Sequence, residues 1–509
     1  MTLMVIIFIA SVLLECLLHI VSGSRRAVRL LVPLVMLVVV VVGALPLLRW
    51  PNIVSVLFAL IGAYRLFNAA RIWSGRMNPQ YLHHATWRSS VWLMGSQGFL
   101  FGLWWLWQTA AMSHESAWLW LAALQLLVAL VLLFSVLRRM DRTRYRESTQ
   151  HFSDVQLPAV TVAIPARNET DDLEACLESV LESDYPKLEV LVLDDCSQNK
   201  RTPEIIRQFA QAGVRFLQGE EPRESWLAKN QAYQQMLQEA TGEVIVFCGV
   251  DVRFSRHSLR NMMTLMLAKK KAMVSVLPRR RDDAVLRMSL VQAMRYWWEL
   301  APPRRLFNRP AVLSSCWAIN RDSLIKLGGF AQATRAIVPE AILARAMTIG
   351  DRYSFVRSDT ALGIESVKND DQQVKTAVRM RYPQLHRRPE QVLLVSIAEI
   401  ALLVLPLPLW VLSFITAIPA DAGWTAFVAA VLLSVAYGIV TVSTRVGYGS
   451  FSWLGLPAGT LLDSVLLHVS MWQYEFATVT WKGRNVCLPV MRTTMSPPPQ
   501  MATRHQGRG

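Results

Sequence analysis

WLAKNQAYQQMLQEATGEVIVFCGVDVRF, from Trp226 to Phe254, is the stretch whose reading decides the fold. The mixed polar and apolar run from Asn230 to Ala240 has the length of a helix, Thr241-Gly242 breaks it, and the apolar run Val244 to Cys248 follows as a strand. A helix feeding a buried strand is one arm of an α/β sheet. Asp251 then falls on the loop at the strand's carboxyl end, where open α/β sheets bind their ligands. A carboxylate there can hold a divalent cation against phosphate oxygens, because hard cations take oxygen ligands. A lone Asp after a strand is also an ordinary turn residue, so the neighbouring segments have to separate the two readings.

Working outward, AVTVAIPARNE (Ala159 to Glu169) reads as a short buried strand ending at Pro165, followed by a helical stretch near Asp171 to Leu181. LEVLVLDDCS is a second strand that ends in Asp194-Asp195, and a helix near Pro203 to Ala212 leads to VRFLQG. Strand and helix alternate, so the sheet should be largely parallel and doubly wound. Globular hydrophobicity holds over residues 149–390, a length that suits one large α/β domain.

The flanks are of another kind. The 509-residue chain is 53% hydrophobic and holds 18 tryptophans, with a mean hydropathy of +0.29, which requires membrane segments. In region 1–148 five apolar segments (3–21, 30–48, 53–73, 91–112 and 117–137) are each near the length that crosses a bilayer. The third carries Arg65, which must snorkel or face protein. Arginines follow the first, third and fifth segments (Arg25, Arg26, Arg29; Arg71, Arg76, Arg88; Arg138 to Arg146), while the other loops offer only Arg49. The positive-inside rule then puts the amino terminus outside and the 149–390 domain in the cytoplasm, the arrangement of a bacterial inner-membrane protein.

In region 391–480 apolar segments return at 392–418, 424–444 and 451–472. A third crossing would carry the basic tail, residues 481–509, outside, so the last segment, with Pro457, Asp463 and His468, is expected to be re-entrant or interfacial. The net charge of +16 clusters beside apolar segments, as membrane proteins mark their cytoplasmic side, and no nucleic-acid partner is expected. The six cysteines form no CxxC pair, which excludes a zinc framework, and nothing reads as a secretory signal peptide.

Pro165 to Glu169, Asp194-Asp195, Lys229 and Asp251 thus fall in order at strand ends and turns of one domain. This order and spacing resembles the family 2 glycosyltransferases of the GT-A fold, whose pattern is a P-x-x-N-E turn, a D-D-x-S turn, a G-K-x-x-A segment and a D-x-D. The resemblance covers roughly residues 157 to 390. It implies that Pro165, Asn168, Glu169, Asp194 and Asp195 bind the nucleoside of a nucleotide-sugar donor. Lys229 would lie near the donor, and Asp251 would contact the donor and a divalent cation, Mg or Mn. The chain departs from the pattern twice: Gly249 stands at the first Asp of the D-x-D, and Ala228 at the Gly before the lysine. Losing one carboxylate leaves the metal requirement open.

The same resemblance implies an acceptor side at SSCWAINRDSLIKLGGF, with Cys316 and Trp317 near the acceptor. Glu340, after Pro339, occupies the place of the catalytic base. Val378 to Tyr382 stands for a Q-x-x-R-W motif without its Gln, which implies Arg381 at the diphosphate and Tyr382 toward the acceptor. TWKGR (Thr480 to Arg484) is similar to the segment after the last membrane element in relatives that glycosylate ceramide, hopanoid or carotenoid-type lipids. The segment from Met294 to Pro310, rich in aromatics and arginines, reads as an element at the headgroup level that helps bring in a lipid acceptor.

The expected reaction is an inverting single displacement onto a lipid or lipid-linked acceptor of the cell envelope. Two other readings share these motifs: a processive polysaccharide synthase, which the missing Gln disfavours, and a degenerate binding protein without transferase chemistry.

Overall fold

The computed structural model describes residues 114–487, apart from 224–225, 282–288, 304–309, 369, 386, 447–451 and 477, together with helical residues within 35–41, 53–73 and 95–102. The expected segment 3–21, most of 30–48 and 91–112, and the tail after residue 487 lie outside the described residues. The chain forms two compact units, 1–117 with 385–396 and 490–509, and 118–384 with 397–489. In the first, helix α1 (Ile53–Trp73) carries Arg65 fully buried, its guanidinium donating to the Gln97 side-chain oxygen. That cation faces protein, one of the two arrangements expected of it.

The second unit is built on a seven-stranded sheet. Its strands are β1 (Val160–Ala166), β2 (Leu188–Asp194), β3 (Val214–Gln218), β4 (Val244–Cys248), β6 (Met273–Leu277), β8 (Cys316–Asn320) and β9 (Tyr353–Arg357), in the order β3-β2-β1-β4-β8-β6-β9. All neighbours are parallel except at β8, which runs against β4 and β6. Alternate residues serve opposite faces. Val160, Val162 and Ile164 of β1 pack with Leu173, Leu177 and Ile205 on one side. Ala163, Leu191, Ile245 and Phe247 pack on the other with Met236, Leu343 and Ala344. Both faces are covered, so the strands read as continuous apolar runs rather than as alternations.

A small sheet lies beside it: β5 (Val252–Phe254) pairs antiparallel with β10 (Ile364–Ser366), which pairs in parallel with β7 (Arg279–Arg280). The helices used below are α2 (His114–Thr143), α3 (Asp171–Leu181), α4 (Ala228–Glu239), α5 (Ser289–Leu300), α6 (Pro339–Thr348), α7 (Asp370–Gln384), α8 (Ala420–Ser443) and α9 (Leu456–Glu475).

Among the described residues three helices are long and apolar enough to cross a membrane: Ser116–Thr143, Ala420–Ser443 and Trp453–Glu475. The last segment, expected to be re-entrant or interfacial, forms one long helix, because Pro457 falls in the first turn of α9, where its missing N–H costs nothing. The break falls earlier, where Pro389–Val404 and Pro406–Leu412 are bent by 54°. Pro406 cannot donate to the preceding turn, and a π-helical turn at Ile400–Val404 absorbs the mismatch. Of the segment from Met294 to Pro310, residues 304–309 lie outside the described residues; its start belongs to α5, whose Met294, Trp297 and Leu300 lie in one apolar cluster with Leu433, Tyr437 and Leu456 of α8 and α9.

Candidate active site

The sheet order reverses at β1, which has β2 on one side and β4 on the other, and this opens a crevice at their carboxyl ends. The loops after these three strands carry the expected donor residues. Pro165 is the sixth residue of β1, opposite Leu193 in the parallel register. Asn168 sits at φ 50°, a left-handed conformation that Asn tolerates better than most residues. Its Oδ1 accepts the backbone N–H groups of Gln198 and Asn199 at 2.8 and 3.2 Å, which ties the β1 loop to the β2 loop. Asp194 Oδ1 accepts the Ser197 N–H at 3.1 Å, a turn cap.

Glu169 and Asp195 are both buried, and each is held by a basic residue from the carboxyl-terminal end of the chain. Strands β11 (Thr480–Trp481) and β12 (Arg484–Asn485) form a hairpin whose two turn residues, Lys482 and Gly483, have φ 47° and 82°. A two-residue turn with both φ positive matches the twist of paired strands. Lys482 Nζ reaches Glu169 Oε2 at 2.9 Å, Arg484 reaches Asp195 Oδ1 at 2.6 Å, and Arg167 Nε donates to the Lys482 carbonyl at 2.9 Å. Burial pushes the Glu169 and Asp195 carboxyls above their ordinary range, while Lys482 and Arg484 respectively pull them back. The sequence marked TWKGR only as a resemblance; its two cations pair with the acids of the β1 and β2 loops.

Lys229 and Glu340 come together from separate helices. Each is the second residue of its helix, α4 and α6, and Asn230 Nδ2 donates to the carbonyls of Ala333, Thr334 and Ala336 in the segment that leads into α6. This pins the two helix starts together. Lys229 Nζ then donates to Glu340 Oε1 at 2.6 Å, with the glutamate 0% and the lysine 26% exposed. Glu340 Oε2 is buried without a hydrogen-bond partner. Lys229 also stands 5.0 Å from the Tyr233 ring centroid, one helical turn on. Burial lowers its ammonium below the usual lysine range, against the pull of Glu340.

Asp251 is set beside Lys368 by strand pairing. The register Ser366↔Val252 continues into a bond from the Val367 N–H to the Asp251 carbonyl at 2.9 Å, and Lys368 Nζ lies 3.9 Å from Asp251 Oδ2. Gly249 leaves the room that this needs: a Cβ there would stand 2.5 Å from Asp251 Oδ1. Arg295 of α5 and Arg379 of α7 complete the surroundings, and the charges of both act on Lys229 and on Lys368. Burial, with these like charges, brings Lys368 down to about 8 despite Asp251, and burial brings Arg379 down to about 10. Sequence reasoning missed Arg295, Lys368 and Arg379.

Other expected residues lie elsewhere. Arg381 is held by Asp463, by Glu399 at 3.5 Å and over the Trp298 ring at 5.3 Å, among the apolar helices. Tyr382 is fully buried and its hydroxyl donates to Glu475 at 2.5 Å. Residues two apart on a helix point to nearly opposite sides, so Arg379 faces the crevice while Arg381 faces α9. Cys316 and Trp317, expected at the acceptor, are fully buried in β8. Trp317 stacks on Phe247 with ring centroids 4.5 Å apart, and both rings pack around Tyr233, which backs Lys229. The reason is the place of β8 between β4 and β6 in a sheet covered on both faces, which leaves these side chains no open face.

Among the described residues no group of three His, Cys, Asp or Glu is gathered as a metal cage. Asp251 offers a single carboxylate, which fits a divalent cation only as one ligand in a shell that donor phosphates and water complete.

The chain is similar to known glycosyltransferases. The family described as Glycosyl transferase family 2 matches residues 161–328. Glycosyltransferase AglE of Haloferax volcanii is 37% identical over 99 residues, 19% of this chain and 31% of that protein. The putative teichuronic acid biosynthesis glycosyltransferase TuaG of Bacillus subtilis is 28% identical over 117 residues, 23% of this chain and 44% of that protein. The chain thus spans about a third to under half the length of these relatives. Among solved structures, the mannosyltransferase PcManGT from Pyrobaculum calidifontis, in complex with GDP-Man and Mn2+, aligns at TM-score 0.41 and 18% identity, over 70% of this chain and 98% of its own. S. aureus TarS 1-349 in complex with UDP-GlcNAc aligns at 0.33 and 13%, over 62% and 92%.

The domain is α/β, with a sheet parallel except at β8. Residues 161–328 are a glycosyl transferase family 2 domain, in a chain with helices able to cross a membrane.

Proposed function

We propose that this protein is a membrane glycosyltransferase that moves a sugar from a nucleotide-sugar donor to a hydroxyl of a lipid or lipid-linked acceptor, with inversion in one displacement. The observation that carries the reading is Glu340, a fully buried carboxylate with one oxygen held by Lys229 and the other without a partner, in the domain whose crevice presents Asp195 and Asp251. Glu340 takes the proton of the acceptor hydroxyl as that oxygen attacks the anomeric carbon, the bond from that carbon to the phosphate oxygen breaks, and the nucleoside diphosphate departs with the bonding pair.

The roles divide along the crevice. Pro165, Asn168, Glu169, Asp194 and Asp195 seat the nucleoside, with Lys482 and Arg484 closing over it. Asp251 would hold a divalent cation, which stabilises negative charge on the departing diphosphate. Lys229 fixes the Glu340 carboxylate. A lipid acceptor is supported by the attachment of the catalytic domain to apolar helices: Trp298 of α5 donates to Asp463 of α9 at 2.9 Å, and Val428, Val431, Val435 and Val442 leave the flank of α8 exposed and apolar. With the arginine pattern of the loops this suits a bacterial inner-membrane enzyme whose catalytic domain is cytoplasmic and whose amino terminus is outside.

The test is release of nucleoside diphosphate by the purified, detergent-solubilised protein across UDP-, GDP- and dTDP-sugars with extracted membrane lipids. Release from one donor that requires lipid and is abolished by Glu340→Gln is expected. Silence across the panel would remove the transferase reading.

A further inference from the structure

We propose that Arg295, Lys368 and Arg379 form a seat for the donor's diphosphate, so that a nucleoside diphosphate binds this chain without a divalent cation. The inference rests on the donor reading above and concerns what neutralises the phosphates.

The charges at the sugar end of the crevice do not balance. Among the described residues Glu340 and Asp251 are the carboxylates beside these cations, and both are already engaged, by Lys229 at 2.6 Å and by Lys368 at 3.9 Å. Glu169 is held by Lys482. Arg295 has no hydrogen bond or ion pair among the described residues. The guanidinium of Arg379 stands 5.5 Å from the Trp481 ring centroid and makes no hydrogen bond or ion pair among the described residues. Two guanidinium groups therefore stand in excess beside two paired cations.

These cations come from unrelated elements. Arg295 lies on α5, Lys368 just after β10, and Arg379 on α7. A solvated helix face would present a run of charge along one element, whereas here α5 and α7 pack against each other and Lys368 stands 3.9 Å from Asp251, so that the charges of Arg295 and Arg379 act on Lys368. Gathering partly buried like charges is unfavourable in the free protein and becomes favourable when an anion of matching charge arrives. A diphosphate, with several anionic oxygens, is that anion, and guanidinium groups bind such oxygens in a fork. The position that would supply a second carboxylate for a metal is Gly249, and the space a side chain would need there is taken by the Asp251 carboxylate. Protein cations thus occupy the role that a fuller metal site would play.

The experiment is calorimetric titration of UDP and of GDP into the full-length protein in detergent, once with EDTA and once with excess manganese. One of the two nucleotides should bind in EDTA, with a Kd within about tenfold of the manganese value, and Arg295→Ala, Lys368→Ala and Arg379→Ala should each weaken the EDTA binding by about tenfold or more. Lys375→Ala, at an exposed position of the same helix as Arg379, is the control and should leave Kd unchanged. Should an alanine variant fail to fold, Lys368→Gln and Arg379→Gln keep a polar side chain of intermediate length while removing the charge, and they are expected to weaken binding alike. Binding seen only with manganese, or EDTA binding that these substitutions leave unchanged, would overturn the seat while leaving the donor reading in place. No binding of either nucleotide under both conditions would overturn the donor reading as well.

Discussion

Lys229 and Glu340 form an ion pair whose two halves are unequally buried, and cutting it from either side should give different costs. In Lys229→Met the carboxylate left behind is 0% exposed, so it cannot turn to water, and an uncompensated buried charge of this kind costs about 3–5 kcal/mol. In Glu340→Gln the lysine left behind is 26% exposed and keeps an amide oxygen to donate to, so the loss is that of a charge-assisted hydrogen bond, about 1–3 kcal/mol. For a domain of this size the first should lower Tm by on the order of 10 °C and the second by roughly half as much or less. The double variant should recover much of the first loss, since it leaves no buried carboxylate, and the cycle isolates the coupling.

Thermal unfolding of the four proteins in one detergent checks the stabilities. Turnover should fall about 10²–10⁴-fold in Glu340→Gln, as expected for a lost general base. Equal Tm losses in the two single variants that simply add in the double would refute the buried-pair reasoning. Turnover in Glu340→Gln within tenfold of the parent would refute the base.

Three further outcomes follow from the same geometry. Arg484→Ala should weaken nucleoside diphosphate binding about tenfold, because Asp195 loses its 2.6 Å partner and the hairpin its anchor; unchanged Kd by titration would separate the hairpin from the donor site. Arg379→Ala should raise Kd with little change in Tm, while Arg381→Ala, which strands Asp463 and Glu399, should lower Tm with little change in Kd; the reverse pattern would exchange their roles. Burial raises the Glu169 carboxyl and Lys482 opposes it, so Lys482→Ala should raise it further. A carboxyl raised on folding gives stability that is full below its unfolded value and lost as pH rises through its folded value, so the Tm deficit of Lys482→Ala should be small near about pH 4 and larger near about pH 7. An equal deficit at both would contradict it.

Much of the sheet was legible because its central strands are short, apolar on both faces and punctuated by turn residues: VTVAI, EVLVL and VIVF each read as a buried strand, and the acids after them fall at carboxyl ends. Strand direction is not written in such runs. CWAIN has the same character as its neighbours yet enters antiparallel between β4 and β6, and that central place buries Cys316 and Trp317. The strands of the small sheet, two or three residues long, carry no periodicity, so nothing in the sequence placed Lys368 beside Asp251. Long-range ion pairs such as Lys482 with Glu169 are set by the return of the chain after α9, more than three hundred residues on.

The two arginines of α7 show where a motif stops being informative. Matched by letters, Arg381-Tyr382 keeps the end of the family pattern and Arg379 is filler. A helix, however, turns its residues through 100° per position, so which arginine reaches the phosphates is decided by the face that α7 buries. That face is set by α9: Ser470 Oγ accepts the Tyr382 N–H at 3.1 Å, Tyr382 reaches Glu475, and Asp463 holds Arg381, which together fix the rotation of α7 and leave Arg379 on the crevice side. The apolar helix thereby does more than anchor the domain. Its polar residues Asp463, Ser470 and Glu475, the first of which reads from the sequence as a reason against a crossing, are the contacts that fix the rotation of α7, and any change in the seating of α9 should be felt first at Arg379.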